Sequence, residues 1–222
     1  MGSASKYFDG TNNEHLLSNE FSNSHYADAP PISLMGWVYW DGSSLSLLGA
    51  YSNGSNEGIQ LFVNVNGEII GVCEGSTTTV NLRGTFLGGS GWAHLAATIR
   101  SSTDYELWLD GVSIDTNSTD IGSVDPTRIW VGSRGNFGYG TGEISDFIAL
   151  NISLTDELVL EGMHTPQNVI PLGVYAPDFR SPIASAGDTV DLSPYNSVTD
   201  SGTVPSDSDK GPPVYIPQMV GT

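Results

Sequence analysis

Residues 91 to 111 read GWAHLAATIRSSTDYELWLDG. Ala93, Leu95, Ala97 and Ile99 alternate with Trp92, His94, Ala96 and Thr98, and Leu107 and Leu109 alternate with Glu106, Trp108 and Asp110. A period of two places the two sets on opposite faces of a strand, so the stretch predicts two paired strands. Similar short runs recur at Ser33–Trp40, Ser46–Tyr51, Gly58–Asn64, Glu68–Cys73, Thr78–Leu82, Arg128–Val131 and Glu143–Leu150. The linkers Asn64-Val65-Asn66-Gly67 and Asp110-Gly111 have the residues that tolerate positive φ, so they are hairpin turns. One short helix is predicted from Ser153 to about Gly162, with a Ser-x-x-Asp cap, acids in its first turn and a position across one edge of the sheets.

The pattern changes after His164. Residues 166–222 hold nine of the 12 prolines and no Trp, a spacing that opposes regular helix and central strand. Val169, Ile170, Leu172, Tyr175, Phe179, Tyr195 and Tyr215 are nevertheless too apolar for a solvated tail. The expectation is a domain over residues 1–165 and an extended arm over 166–222, docked on its own domain or on a partner.

The order of motifs carries a resemblance. Tyr7-Phe8-Asp9-Gly10-Thr11-Asn12 is followed by Ile32-Ser-Leu-Met-Gly-Trp-Val-Tyr39, Trp92-Ala-His-Leu-Ala-Ala-Thr98 and Leu107-Trp-Leu-Asp-Gly111. Arg128-Ile-Trp-Val-Gly132 and Gly142-Glu-Ile-Ser-Asp-Phe-Ile-Ala-Leu-Asn151 complete the series. Over about residues 4–165 the chain resembles the laminin G-like, concanavalin A-like lectin/glucanase superfamily, in the bacterial and phage branch related to pentraxins. The fold this implies is all-β: a two-sheet antiparallel jelly-roll sandwich with one short helix and an extended C-terminal arm. It does not imply one function, because the same scaffold carries lectins, hydrolases, adhesion modules and virion proteins.

Composition removes several partners. With 25 acids against 7 bases the net charge is −18, which repels nucleic acid and anionic membrane. The N-terminal MGSASKYFDG lacks the apolar core of a Sec signal, and no run reaches transmembrane length, so no membrane insertion is expected and synthesis and release in a cytoplasm are. The single Cys73 cannot form an internal bridge and, lying in an apolar run, reads as a buried small residue. The four histidines, His15, His25, His94 and His164, lack zinc-ligand spacing. His94 is expected as an inward-facing, hydrogen-bonded scaffold residue.

Hydrolases of the superfamily carry a Glu-x-Asp-x-x-Glu signature whose carboxylates share one face of a strand. None of the nine Glu residues here has Asp two positions later. The nearest approach is Glu143-Ile-Ser-Asp146, whose two acids would point to opposite faces of a regular strand. The chain is therefore not expected to be an enzyme. The resemblance also implies calcium, held by oxygen ligands near the rim, and Asp9, Asn12 and Asn13 are the candidates, although the usual carboxylate after the first motif is replaced by Asn13. No cofactor is required.

Sugar binding calls for aromatics beside amide or carboxylate groups. Trp40, Tyr51 and the Gly-rich loop Arg134-Gly-Asn136-Phe137-Gly-Tyr139 supply them. Three functions fit: a structural or adhesive protein on a phage virion surface, as a capsid decoration or fibre-associated protein; a glycan-binding module of a bacterial secreted or cell-surface protein; and a glycoside hydrolase with an unfamiliar carboxylate arrangement. The first is the leading expectation and takes other virion or surface subunits as partners through the 166–222 arm, in a homo-oligomer or larger assembly. The contacts of that arm separate the first two readings: packing on its own sandwich favours the binding module, and lying on other subunits favours assembly.

Overall fold

The computed structural model describes residues 5–9, 16–17, 31–41, 45–51, 57–86, 90–133, 140–176 and 206–208. The chain opens with β1 (Ser5–Asp9), β2 (Leu16–Leu17) and β3 (Ile32–Trp40), followed by β4 (Leu45–Tyr51), β5 (Gly58–Val63), β6 (Glu68–Glu74) and β7 (Thr79–Thr85). Next come β8 (Gly91–Ser101), β9 (Asp104–Leu109), β10 (Val112–Asn117), β11 (Arg128–Val131) and β12 (Thr141–Leu150). Helices α1 (Asp156–His164) and α2 (Pro166–Val169), a 3-10 turn at Ile170–Leu172, β13 (Gly173–Tyr175) and β14 (Ser206–Ser208) complete the described chain.

Two antiparallel sheets result. The larger runs β10-β9-β8-β3-β12-β1-β14, with β13 also paired to β12, and the smaller runs β2-β11-β4-β5-β6-β7. This is the predicted two-sheet sandwich. Both hairpin turns form as expected. Asp110 and Gly111 take φ of 50° and 79°, and Gly67 takes 74°, while Asn64 Oδ1 accepts from the amides of Asn66 and Glu68 at 2.9 and 3.0 Å.

Alternation fills the space between the sheets. Phe8, Leu34, Val38, Ala93, Leu95, Ala97, Ile99, Leu107 and Ile144 of the large sheet meet Ile59, Leu61, Val63, Ile69, Cys73 and Leu82 of the small one. Each fully buried Leu, Ile, Val or Phe contributes roughly 1.5–3 kcal/mol. Along one side the sheet edges are stitched together by Asp115, whose Oδ2 accepts from the Arg83 amide on β7 at 2.7 Å, satisfying an edge N–H group that would otherwise be open to another strand.

The outer face of the large sheet has a second apolar cluster. Met35, Ala96, Trp108, Ile148 and Leu150 are covered by Leu154, Val159 and Val169, so α1 lies over a sheet face rather than across an edge, contrary to the sequence expectation. Its cap is Thr155, not Ser153: the Thr155 Oγ1 accepts from the Leu158 amide at 3.3 Å. Trp108 Nε1 donates to Asp156 Oδ1 at 2.9 Å and ties the first turn to the sheet. The helix also continues through Gly162 to His164; at Gly162 a Cβ would stand 2.2 Å from the Met35 sulfur, so the glycine serves close packing, not termination.

The proline-rich segment holds more regular structure than expected. Pro166 begins α2, where its missing N–H would have no helical partner anyway. Two pieces of the arm then return to the large sheet of their own chain: Gly173–Tyr175 on β12 and Ser206–Ser208 on β1.

One irregularity shapes the outer face. The pairing of β12 with β3 shifts between Ser145 and Ile148, and Asp146 there has φ 49°, so β12 carries a bulge. Opposite it stands Gly36, where a Cβ would meet the Phe147 Cα at 3.2 Å and the Ser145 carbonyl at 3.3 Å. Both contacts are backbone or fixed to it. Gly36→Val is expected to destabilise the fold by about 1–3 kcal/mol through overpacking, read as a lower urea midpoint at unchanged slope.

Candidate functional site

The registers of the large sheet align residues from four strands into rungs. Tyr7 of β1 faces Glu143 of β12, Glu143 faces Tyr39 of β3, and Tyr39 faces Trp92 of β8. Three inter-strand spacings make this rung about 14 Å long. Tyr39, Trp37 and Met35 alternate along β3, so the rung shares its face with the outer apolar cluster but lies at the opposite end from the apolar rungs. The next rung pairs Ser145, Trp37 and His94.

The first rung joins aromatic surface to a carboxylate. Tyr39 and Trp92 meet edge to face, centroids 5.7 Å apart at 65°, a favoured geometry for aromatic pairs. Tyr7, Tyr39 and Trp92 are half-buried. Glu143 between them keeps 4% of its surface exposed, and its Oε2 accepts from the Ser5 hydroxyl at 3.2 Å. A pyranose offers a C–H face to such half-buried rings, while the Glu143 carboxylate between them is buried.

His94 marks the boundary between polar and apolar rungs. Its backbone is held by Asp110, which accepts from the His94 amide through Oδ1 at 2.8 Å and donates its own amide to the His94 carbonyl at 2.8 Å. The imidazole is fully buried against Trp37, centroids 5.4 Å apart, and neither ring nitrogen has a hydrogen-bond partner. The expected hydrogen-bonded, inward-facing scaffold histidine is therefore corrected: the side chain faces the outer cluster, and its ring is unpaired. Burial first, and the neighbouring His164 second, push its pKa down to about 3.

The sequence-derived candidates fall elsewhere. Trp40 has the inward parity of Val38; it packs against the inter-sheet core, 5.4 Å from Phe86, and its ring would lie 3.0 Å from a Cβ on Gly67. It is a lid on that core and stands apart from the rung. Arg134, Asn136, Phe137, Tyr139, Asn12 and Asn13 lie outside the described residues, as do the side chains of Asp9 and Tyr51, whose backbones belong to β1 and β4. Cys73 is buried, and burial raises its thiol pKa to about 12, which leaves it unreactive. Among the described residues no three His, Cys, Asp or Glu side chains cluster as metal ligands, and no helix is long and apolar enough to cross a membrane. Tyr7, Tyr39, Trp92 and Glu143 were not singled out as a site from the sequence, since each comes from a different strand.

The sequence matches no family model and no curated protein. The fold does have solved counterparts. A candidate carbohydrate-binding protein from Bacteroides ovatus is similar with a TM-score of 0.70 and 11% identity, over 97% of this chain and 63% of that one. The heptameric pentraxin of Limulus polyphemus gives 0.54 and 15%, over 71% of this chain and 80% of the pentraxin. Domains LG4-5 of the mouse laminin α1 chain give 0.52 and 14%, over 67% of this chain and 41% of theirs. The chain thus spans under two-thirds of the length of the Bacteroides protein and of the laminin pair.

The buried imidazole has a consequence for acid stability. His94 is neutral in the fold but takes up a proton near pH 6.5 when the chain unfolds. Stability is therefore fully present above pH 6.5 and is lost as pH falls from there toward about 3. The slope from this one group approaches about 1.4 kcal/mol per pH unit. Urea unfolding at a series of pH values is expected to show His94→Phe with a flatter dependence than the parent between pH 6 and about 4.

Proposed function

We propose that this chain, which has the concanavalin A-like lectin/glucanase fold, is a non-catalytic glycan-binding module of a bacterial secreted or surface protein. The observation that carries the reading is the rung Tyr7–Glu143–Tyr39–Trp92, which lines up three half-buried aromatic rings on one sheet face around a buried carboxylate held by Ser5. Its length favours an oligosaccharide over a single sugar ring. The similarity to a candidate carbohydrate-binding protein over nearly the whole chain supports the same assignment.

The reaction chemistry of the glucanases fits less well. In the signature Glu-x-Asp-x-x-Glu, counting from Glu143, the Asp position is held by Ser145 and the second Glu position by Ile148. Ile148 is buried in the cluster beneath α1, so a second carboxylate at the roughly 5–5.5 Å of a retaining pair is not supplied from that position. Binding without cleavage is the consistent reading. The virion-surface reading, besides an acidic surface and the lack of a catalytic signature, takes its partners through the 166–222 arm. Its described strands, Gly173–Tyr175 and Ser206–Ser208, instead pair with β12 and β1 of the same chain, and this favours the module.

A glycan array probed with the parent chain is expected to return at least one oligosaccharide ligand. Trp92→Ala is expected to weaken that binding at least tenfold by calorimetry, the order of about 1–3 kcal/mol that aromatic stacking contributes. An array without hits, or a Trp92→Ala variant that folds and binds like the parent, would count against the assignment.

A further inference from the structure

We infer that α1 and α2 form an acid-released strap: on mild acidification the C-terminal end of α1 lifts from the large sheet and admits water to His94, while the sandwich beneath stays folded. The inference is independent of the glycan-binding reading, because it concerns the helix-covered end of the outer face.

The C-terminal half of α1 rests on the strands around His94. Val159 is buried in the outer cluster, and Gly162 lies so close to β3 that a Cβ would stand 2.2 Å from the Met35 sulfur. At the β9–β10 turn a Cβ on Gly111 would stand 2.6 Å from Leu160 and 3.6 Å from Met163. The same turn holds the His94 backbone through Asp110. His164 ends the helix, near enough for its charge to oppose one on His94. Beneath these residues the His94 ring is fully buried, edge to face with Trp37 at 5.4 Å, and neither nitrogen has a hydrogen-bond partner.

A neutral imidazole in that place leaves one donor and one acceptor unmade; an imidazolium brings two donors and a charge. From α1 the titratable group facing it is His164, of like charge when protonated. From the β9–β10 turn it is Asp110, whose Oδ1 already accepts from the His94 amide at 2.8 Å. Strand β3 presents Trp37, with Tyr39 on the next rung; β12 presents Ser145 behind Trp37, with Glu143 beyond Tyr39. Strand β9 presents Trp108 opposite Ala96, and on β8 itself Arg100 stands six residues away, about 20 Å. The charged ring therefore calls for water. Lifting α1 supplies it without parting the sheets, because the inter-sheet core is a separate cluster. The first turn of the helix stays tethered through Trp108 Nε1 and Asp156 Oδ1 at 2.9 Å.

Burial first, and His164 second, push the His94 pKa down to about 3 in the closed form, against 6.5 for the ordinary group. The closed form keeps its full advantage above pH 6.5 and loses it as pH falls toward about 3. The opening equilibrium rises by up to tenfold per pH unit, about thirtyfold from pH 7.5 to 5. Glu161, which joins α1 to α2 through Thr165 and Asn168, is held by those two groups below the usual carboxylate range. It keeps its charge across that window. The open form bares Met35, Ala96, Trp108 and Ile148, apolar surface that the chain presents only in acid.

Hydrogen–deuterium exchange of the parent chain at a series of pH values from 7.5 to 5, each rate corrected for its intrinsic pH dependence, tests the strap. Amides from Leu158 to Thr165 are expected to lose about thirtyfold in protection across the series. At every pH they are expected to be at least a hundredfold less protected than those of β5 and β6, as a local opening requires. His94→Phe, checked by circular dichroism for a native spectrum, is expected to reduce the thirtyfold loss to less than threefold. Protection in α1 that does not change with pH overturns the inference, as does equal protection in α1 and in β5 and β6, which marks global unfolding. A His94→Phe variant as steep as the parent overturns it too, by assigning the response to another group. Should that variant fail to fold, His94→Leu replaces it; with neither folded, the parent's pH profile and protection gap decide.

Discussion

The nine consecutive rungs that pair β3 with β8, from Ile32 opposite Ile99 to Trp40 opposite Gly91, are the constraint on which both faces of the large sheet depend. Side chains alternate strictly, so a slip of one residue would carry Leu34 and Val38 out of the sandwich and bring Trp37 and Tyr39 in. The bulge in β12 solves a second problem of parity. Glu143 and Ile148 are an odd number of residues apart and would face opposite ways on a regular strand. Because Asp146 is inserted as an extra residue, both face outward. One strand thereby supplies the carboxylate of the polar rung and an apolar contact for α1, and Gly36 leaves room for the distortion.

The outer face is consequently divided. At one end α1 and α2 cover Met35, Ala96, Trp108 and Ile148; at the other, no helix among the described residues lies over the aromatic and polar groups from β1, β12, β3 and β8. His94 lies at the join, dry enough to be neutral and with no hydrogen-bond partner for either ring nitrogen. An unpaired buried polar group costs roughly 1–3 kcal/mol, so the junction is weaker than the clusters on either side of it. The Asp110-Gly111 turn partly offsets this: Asp110 fixes the His94 backbone, and at Gly111 a Cβ would stand 2.6 Å from the Leu160 side chain of α1.

Much of this architecture could be read from the chain. Alternation identified the strands of the sandwich interior because their inward positions are uniformly apolar, as in Ala93, Leu95, Ala97 and Ile99. It missed β10, where Val-Ser-Ile-Asp-Thr-Asn lies at a sheet edge with Val112 63% exposed and the pattern has no buried face to reveal. It missed β14 for a related reason: Ser-Asp-Ser has no apolar residue whose alternation could mark a strand. The helix was expected at the right place but with the wrong cap, since Ser153 and Thr155 are chemically equivalent in sequence and only packing of Asp156 on Trp108 chooses between them. The candidate site was the least legible part. Local composition favours loops such as Trp40-Asp-Gly, whereas the rung collects one residue from each of four strands, and only register brings Tyr7, Tyr39, Trp92 and Glu143 together.

The pairing of β1 sets the order in which the sandwich can be completed. Its partners are β12 and β14, with Ser5 opposite Ser208, so a strand made early in this sequence is bonded to two made well over a hundred residues later. Contacts this distant in sequence require long loops to close and slow the final step of folding. During synthesis Phe8, an inter-sheet core residue, waits with its strand edge open while everything between is being made. A nascent chain released early, or cut before residue 206, would keep its hairpins but present β1 as an unprotected edge, the kind of surface that recruits other unfinished chains.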